Sequence, residues 1–305
     1  MAPAASVKAQ SSYGQSQLDA GQTCWRETHD LRRAMIYFDA AMQWALEHGA
    51  SELWDRAFCN RCALEIEAGE AGESLSELRE IVLRSRDPET GFLAAYHMAT
   101  AYDLSGDSKR ARFYANIARD RVERLHRADY SIGSLNQMGN LLLAASQFEE
   151  ACSEYEQAYR LLSQEPSVEL AMVLDNIGYC RLMQGRHQEA MQLLHRSLRM
   201  LLKLKLERPQ AFTRLALCYA HLDLGRFRSA LLHGMRALEI ATSYDDPDSA
   251  KYALFLLGEV HNQLGNDELA YEHFCRLQQR FYPGAPNVPN VLMALDVRAL
   301  INLKA

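Results

Sequence analysis

Cys59-Asn60-Arg61-Cys62 is the stretch of this chain whose residue types and spacing most invite chemistry. A C-x-x-C pair binds zinc when a second pair supplies two more ligands, and no second pair is present. A redox role would want the motif at a helix N-terminus after a strand, where the thiolate is stabilised. Here the motif lies inside a helical pattern, and Cys62 fills a position held by small residues throughout the chain, so packing explains it without chemistry. A Cys-dependent metal or redox switch using Cys59, Cys62 and nearby histidines is the alternative. The seven cysteines (Cys24, Cys59, Cys62, Cys152, Cys180, Cys218 and Cys275) are an odd number, and reduced buried thiols are expected.

The ten histidines are spread along the chain. His187 and His195 are eight apart, and His221 and His233 twelve, neither being the i, i+4 pair of a helical metal site. Hairpin neighbours could still bring separate histidines together. No G-x-x-x-x-G-K-[ST] loop, no G-x-G-x-x-G after a strand-like run, no G-x-S-x-G elbow and no H-E-x-x-H helix is found. The expectation is a protein without catalytic residues, metal or cofactor.

Composition narrows the partner class. Of 305 residues, 33 are basic and 39 acidic, a net charge of -6, which gives no chain-wide attraction to nucleic acid or anionic lipid. Lys109, Arg110, Arg112, Arg119, Arg121, Arg124 and Arg127 form a local basic stretch, interrupted by Asp120 and Glu123, and a solvated helix face accounts for it. Residues 1–17 have no apolar run resembling a secretory signal, and no eighteen consecutive apolar residues occur anywhere. The sequence therefore suggests a cytoplasmic protein with a disordered tail over 1–17.

What must position any site is a repeat. Ala34, Ser74, Ala111, Ala151, Ala190, Ala230 and Ala270 follow one another at 40, 37, 40, 39, 40 and 40 residues. Such a period marks a stacked array of supersecondary units. In the unit Leu170 to Leu201, Gly178 lies mid-helix and Gly185 ends that helix. Ala190, Leu194 and Ser197 then follow at i, i+4, i+7 on the next. Cys62, Ala99, Gly139, Cys218 and Gly258 take the place of Gly178, where a small side chain lets two helices approach closely. Gly69, Gly106, Ser146, Gly225 and Gly265 take the place of Gly185, where a left-handed backbone can stop a helix. Pro88, Pro166, Pro209 and Pro247 fall near the start of first helices.

This pattern resembles the tetratricopeptide repeat family over residues 17 to 281. It has a Gly or Ala eight residues in, Gly at fifteen, an aromatic at seventeen (Phe148, Phe227), Ala at twenty and Ala at twenty-seven. Five units are clear from Phe92 onward, with a weaker one from Leu53 and an incomplete one over residues 18 to 49. The family's usual period is about 34 residues, so each hairpin here carries an added turn or two. Longer repeats are similar to those of kinesin light chains and bacterial peptide-sensing regulators. The resemblance implies an all-α fold, a right-handed superhelical solenoid of antiparallel helix hairpins. The domain organisation expected is a tail (1–17), the array (18–281) and a Pro-containing loop with a capping helix (282–305). That final helix, Asn290 to Leu303, carries Val291, Leu292, Leu295, Val297, Leu300, Ile301 and Leu303. It could instead serve self-association.

In the resembled family the first helix of each unit lines a concave groove. Carried over position by position, the groove candidates are Tyr96, Thr100, Asp103, Asn136, Asn140, Asp175, Tyr179, Phe212, Tyr219, Asp223, Tyr252, Glu259 and Asn262. Tyrosines give large contact area with a hydroxyl handle, and asparagines can bond both backbone groups of an extended peptide. Asn140 and Asn176 match the two amides of the family's chaperone-tail carboxylate clamp. Its cationic positions, however, hold Asn136, Phe212 and Ala216. Aromatic, amide and acidic groups favour a basic or apolar segment. The function implied is a non-enzymatic scaffold or adaptor for a peptide or protein. The alternatives are a bacterial-type peptide-sensing regulator and a self-associating assembly factor.

Overall fold

The computed structural model describes the backbone of residues 4–28, 30–70, 72, 74–298 and 302–303, and of these the side chains of all but 4–12, 26 and 27. Every regular element among them is helical. The chain divides into two compact units, Met1–Leu141 and Leu142–Ala305.

The first unit contains α1 (Ala4–Thr23), a π-helical turn (Cys24–Thr28), α2 (Leu31–His48), α3 (Ser51–Glu67), α4 (Leu75–Arg84), α5 (Pro88–Leu104) and α6 (Ser108–Val122). The division passes through α7 (Ala128–Ala144). Helix α1 begins at Ala4, within the stretch expected as a tail; residues 1–3 lie outside the described residues. Two glycines and a buried leucine seat this helix. A Cβ at Gly14 would meet the Trp44 ring at 2.3 Å, and one at Gly21 the Phe38 ring at 2.5 Å. Leu18, 1% exposed, completes the contact with Phe38 and Ala41.

The second unit contains α8 (Phe148–Leu161), α9 (Val168–Met183), α10 (His187–Lys203), α11 (Gln210–Asp223), α12 (Phe227–Ser243), α13 (Pro247–Gln263), α14 (Asp267–Phe281) and a short α15 (Val288–Ala294). Helices α9 and α10, α11 and α12, and α13 and α14 form successive hairpins, and the first helices α9, α11 and α13 also lie against one another. A helix with neighbours on several sides is apolar around much of its circumference, as α9 and α11 are. The partner helices α10, α12 and α14 share a buried stripe: Ala190, Leu194 and Ser197 in α10, Ala230, Gly234 and Ala237 in α12, Ala270, Phe274 and Leu277 in α14.

Turn chemistry fixes the period. Gly69, Gly106, Gly185, Gly225 and Gly265 all have φ between 67° and 77°. At the helix ends Gly185 N–H bonds Leu182 O at 2.9 Å and Arg186 N–H bonds Arg181 O at 2.9 Å, the paired bonds that close a helix through a left-handed residue. Ser146 adopts the same left-handed backbone (φ 59°) without being glycine. Asp87, Asp107, Ser167 and Asp246 start helices by accepting the N–H of Thr90, Arg110, Leu170 and Ser249. Close approach within hairpins depends on the small residues. A Cβ on Gly178 would come within 2.9 Å of Leu194, and one on Gly258 within 2.3 Å of Phe274.

The last segment departs from the expected single helix Asn290–Leu303. Leu295 turns extended (φ -125°, ψ 131°) and α15 stops at Ala294. Leu300 and Ile301 of that expected helix lie outside the described residues.

Candidate functional site

Repeat spacing puts Tyr179 of α9 and Tyr219 of α11 at equivalent places on adjacent first helices, and Tyr252 stands near the start of α13. All three hydroxyls converge on the chain's own C-terminal segment. Tyr179 OH accepts the Leu303 N–H at 2.7 Å and donates to Asn302 Oδ1 at 3.1 Å. Tyr252 OH donates to the Asn302 carbonyl at 3.1 Å, and Tyr219 OH to the Arg298 carbonyl at 3.3 Å. The Asn302 amide nitrogen donates to Leu143 O at 2.8 Å and Ser146 Oγ at 3.2 Å. Asn302 is thereby held through its carbonyl and both ends of its side chain. Leu303 is buried beside it.

Charge organises the other end. The Arg298 guanidinium, largely buried, lies 2.5 Å from Asp296, 3.5 Å from Asp223 and 3.7 Å from Glu259. Asp223 also meets His187 Nε2 at 3.3 Å. One guanidinium thus faces three carboxyls. Glu259, 1% exposed, carries the imbalance: burial first, then the Asp296 charge, push it up to about 7 against the pull of Arg298. Its Oε1 has no hydrogen-bond partner among the described residues. Asp296 moves the other way, to about 2, because Arg298 bonds it directly. Burial, then the Asp223 charge, push Tyr219 up to about 12, and burial raises Tyr179 as well. These phenols therefore stay neutral donors at physiological pH.

Five groove candidates from the sequence, Tyr179, Tyr219, Asp223, Tyr252 and Glu259, are brought together around residues 296–303. Phe212 supports the group, its ring edge-on to Tyr179 at 5.5 Å. Asp175 is buried within α9 and Asn262 is half-buried near the end of α13. The other five candidates belong to the first unit or its end. There Tyr96 lines a cavity of about 280 Å³ with Gln22, Trp25, Asn60 and Tyr130. Thr100 Oγ1 accepts from Gln137 at 2.9 Å, Asn136 is half-buried, and Asp103 and Asn140 are exposed. Sequence reasoning missed Asp296, Arg298 and Asn302. Their only signal was polar residues at intervals in an otherwise apolar C-terminal run.

The other sequence features resolve locally. Cys59 and Cys62 are buried, and burial pushes Cys59 well above its ordinary value and Cys62 to about 12, so neither is a ready thiolate. Arg110, Arg121 and Arg127 of the basic stretch are engaged: Arg110 with Asp107, Arg121 with the Val82 and Ser85 carbonyls, Arg127 with Glu89 and Asp129. Hairpin packing does gather histidines. His195, His221 and His233 lie with ring centroids 5.5, 6.2 and 6.4 Å apart, and His261 stacks on His273 at 5.5 Å. Among the described residues no three His, Cys, Asp or Glu are arranged to hold a metal ion, and no helix is long and apolar enough to cross a membrane.

A sequence model described as tetratricopeptide repeat matches residues 130–203, the stretch from α7 to the end of α10. Residues 130–203 carry tetratricopeptide repeats. Solved structures extend the fold beyond that match. The apo form of RapI superposes with a TM-score of 0.68 at 12% identity, covering 95% of this chain and 85% of that one. A Rap protein complexed with competence and sporulation factor gives 0.62 at 14% identity, covering 99% and 98%. PilW, a widely conserved type IV pilus biogenesis factor, gives 0.58 at 18%, covering 78% and 98%. Identities this low establish a shared fold alone. No curated protein matches the sequence. On this helical array the tyrosine and carboxylate face of α9, α11 and α13 brings polar groups together around Arg298, Asn302 and Leu303.

Proposed function

We propose that this tetratricopeptide array is a non-enzymatic scaffold that holds an extended peptide or protein segment on the face of α9, α11 and α13. One observation carries the reading: that face already grips a chain segment, by backbone groups of Arg298, Asn302 and Leu303 through three tyrosine hydroxyls and by the Arg298 side chain through Asp223 and Glu259. Backbone capture gives affinity and the charged pocket gives selectivity. A basic or amide-bearing segment suits the pocket better than an acidic one. Asp175, Phe212 and Asn262 support this face, and Tyr96, Thr100, Asp103, Asn136 and Asn140 are candidates for further contacts on the first unit. The fold shared with a Rap protein complexed with competence and sporulation factor supports a regulator responding to such a segment as one form of the scaffold. A cytoplasmic setting, without nucleic-acid or membrane contact, accords with the charge balance.

Affinity capture from native lysate tests the reading. Wild-type protein should recover a partner that the Tyr179→Ala, Tyr219→Ala double variant loses at unchanged helicity. Equal recovery by both would move the site off this face.

A further inference from the structure

Residues 298, 302 and 303 are bound the way a ligand is bound. Their contacts fall on backbone groups at Arg298, Asn302 and Leu303, and on two side chains, Arg298 and Asn302. Helix α15 ends at Ala294, and Leu295, which follows it, is extended and 59% exposed, so the helix itself does not carry the docking. Without the segment, Asp223 and buried Glu259 would lose the Arg298 guanidinium that faces both. Such a pair demands a cation from whatever replaces it. Beside Asn302 a cavity of about 270 Å³, lined by Tyr252, Phe255, Leu277 and Leu292, offers room for an apolar side chain larger than the segment supplies.

Resting on the scaffold reading above, we propose that Asp296, Arg298, Asn302 and Leu303 form a built-in occupant of the site. The partner they exclude is an extended protein segment of the same chemistry: an Arg, an Asn four residues later and an apolar residue directly after it. The Arg enters between Asp223 and Glu259, the Asn takes the bonds now made by Asn302, and the apolar residue follows Leu303. A tethered occupant competes at an effective concentration far above that of a free partner, so binding in trans is weak until the tail is released. The device sets a threshold: only a segment that is abundant or better matched opens the face.

Release without truncation tests this. In the full chain, Arg298→Glu with Asn302→Ala places a fourth acid beside Asp223, Glu259 and Asp296 and removes the amide latch. The probe is a labelled peptide of the chain's own residues 294–305. The released variant should bind it at least about tenfold more tightly than wild type does. A probe with Glu in place of its Arg should not bind, and adding Asp223→Asn to the released variant should weaken the unmodified probe. Circular dichroism confirms that helicity is retained. Equal affinity for wild type and released variant, or no binding to a fully helical released variant, overturns the proposal. The scaffold reading is judged separately by lysate capture. A partner recovered equally by wild type and released variant, and lost on Tyr179→Ala, Tyr219→Ala, would keep the scaffold and reject the tail as its occupant.

Discussion

Glu259 is the residue where fold and site pull against each other. Its side chain is buried on α13, and its carboxyl ionises near 7 instead of 4.5, chiefly because burial disfavours the charge. The sign follows directly. Between about 4.5 and 7 the folded chain keeps a proton that the unfolded chain has lost, so Glu259 makes stability fall as pH rises through that window. A shift of this size is worth roughly 3 kcal/mol at pH 8. Glu259→Gln keeps the shape and removes the charge. It should raise the melting temperature at pH 8 and leave it unchanged near pH 4, where both side chains are neutral. Equal melting of the two proteins at pH 8 would show that Arg298 fully offsets the burial. Retaining a carboxyl there, at a cost to stability, is what a cation-binding pocket requires.

At the scale of the helix hairpin, much was legible because the physical demands are local. A left-handed turn residue and a small residue at the crossing recur at each repeat, and both are written in single positions. Gly185→Ala meets no atom within 4 Å, so its cost is backbone strain alone, about 1 kcal/mol. Gly258→Ala keeps an allowed backbone but drives a methyl to 2.3 Å from the fully buried Phe274 ring, and it should cost more, about 1–3 kcal/mol. Urea titrations of the two variants give the order, and a larger loss for Gly185→Ala would refute it. The two ends were not legible, for opposite reasons. Helix α1 is seated by Gly14 and Gly21 against rings far along the chain, so it shows no apolar stripe to read. The C-terminal run shows a fine apolar stripe, yet its helix stops at Ala294 and hydroxyls of α9, α11 and α13 bond backbone groups of Arg298, Asn302 and Leu303. Tyr179, Tyr219 and Tyr252 could be placed on one face from the repeat register alone. What sits on them could not, because that depends on contacts between residues as much as 124 positions apart.

For the whole molecule, titration distinguishes the two units. Burial lowers His195, His221, His233, His261 and His273 in the second unit, His233 to about 4, and in the first unit it lowers His97 to about 4. A histidine depressed in the fold stays neutral while its unfolded counterpart takes a proton below 6.5, so its contribution is lost as pH falls. A shift to about 4 costs about 2 kcal/mol at pH 5. In the second unit Glu259 returns a similar amount over the same range, which roughly cancels His233 and leaves four lowered histidines to decide the outcome. In the first unit His97 is the one lowered histidine among the described residues. Asp87, Asp129 and Asp296 are lowered carboxyls whose loss begins only below about 3.8, outside this range. The second unit should therefore be the more acid-labile, and repeat arrays can unfold in segments. The sequence supplies the means to see it, since Trp25, Trp44 and Trp54 are its only tryptophans and all lie in the first unit. On moving from pH 7.5 to 5, helicity by circular dichroism should begin to melt well before tryptophan emission shifts. Coincident transitions for both probes at pH 5 would mean that the histidine clusters do not set the acid stability of the second unit. An early loss of helicity would bring its consequence to the site: the face of α9, α11 and α13, and the segment it holds, would open in mild acid ahead of the rest of the chain.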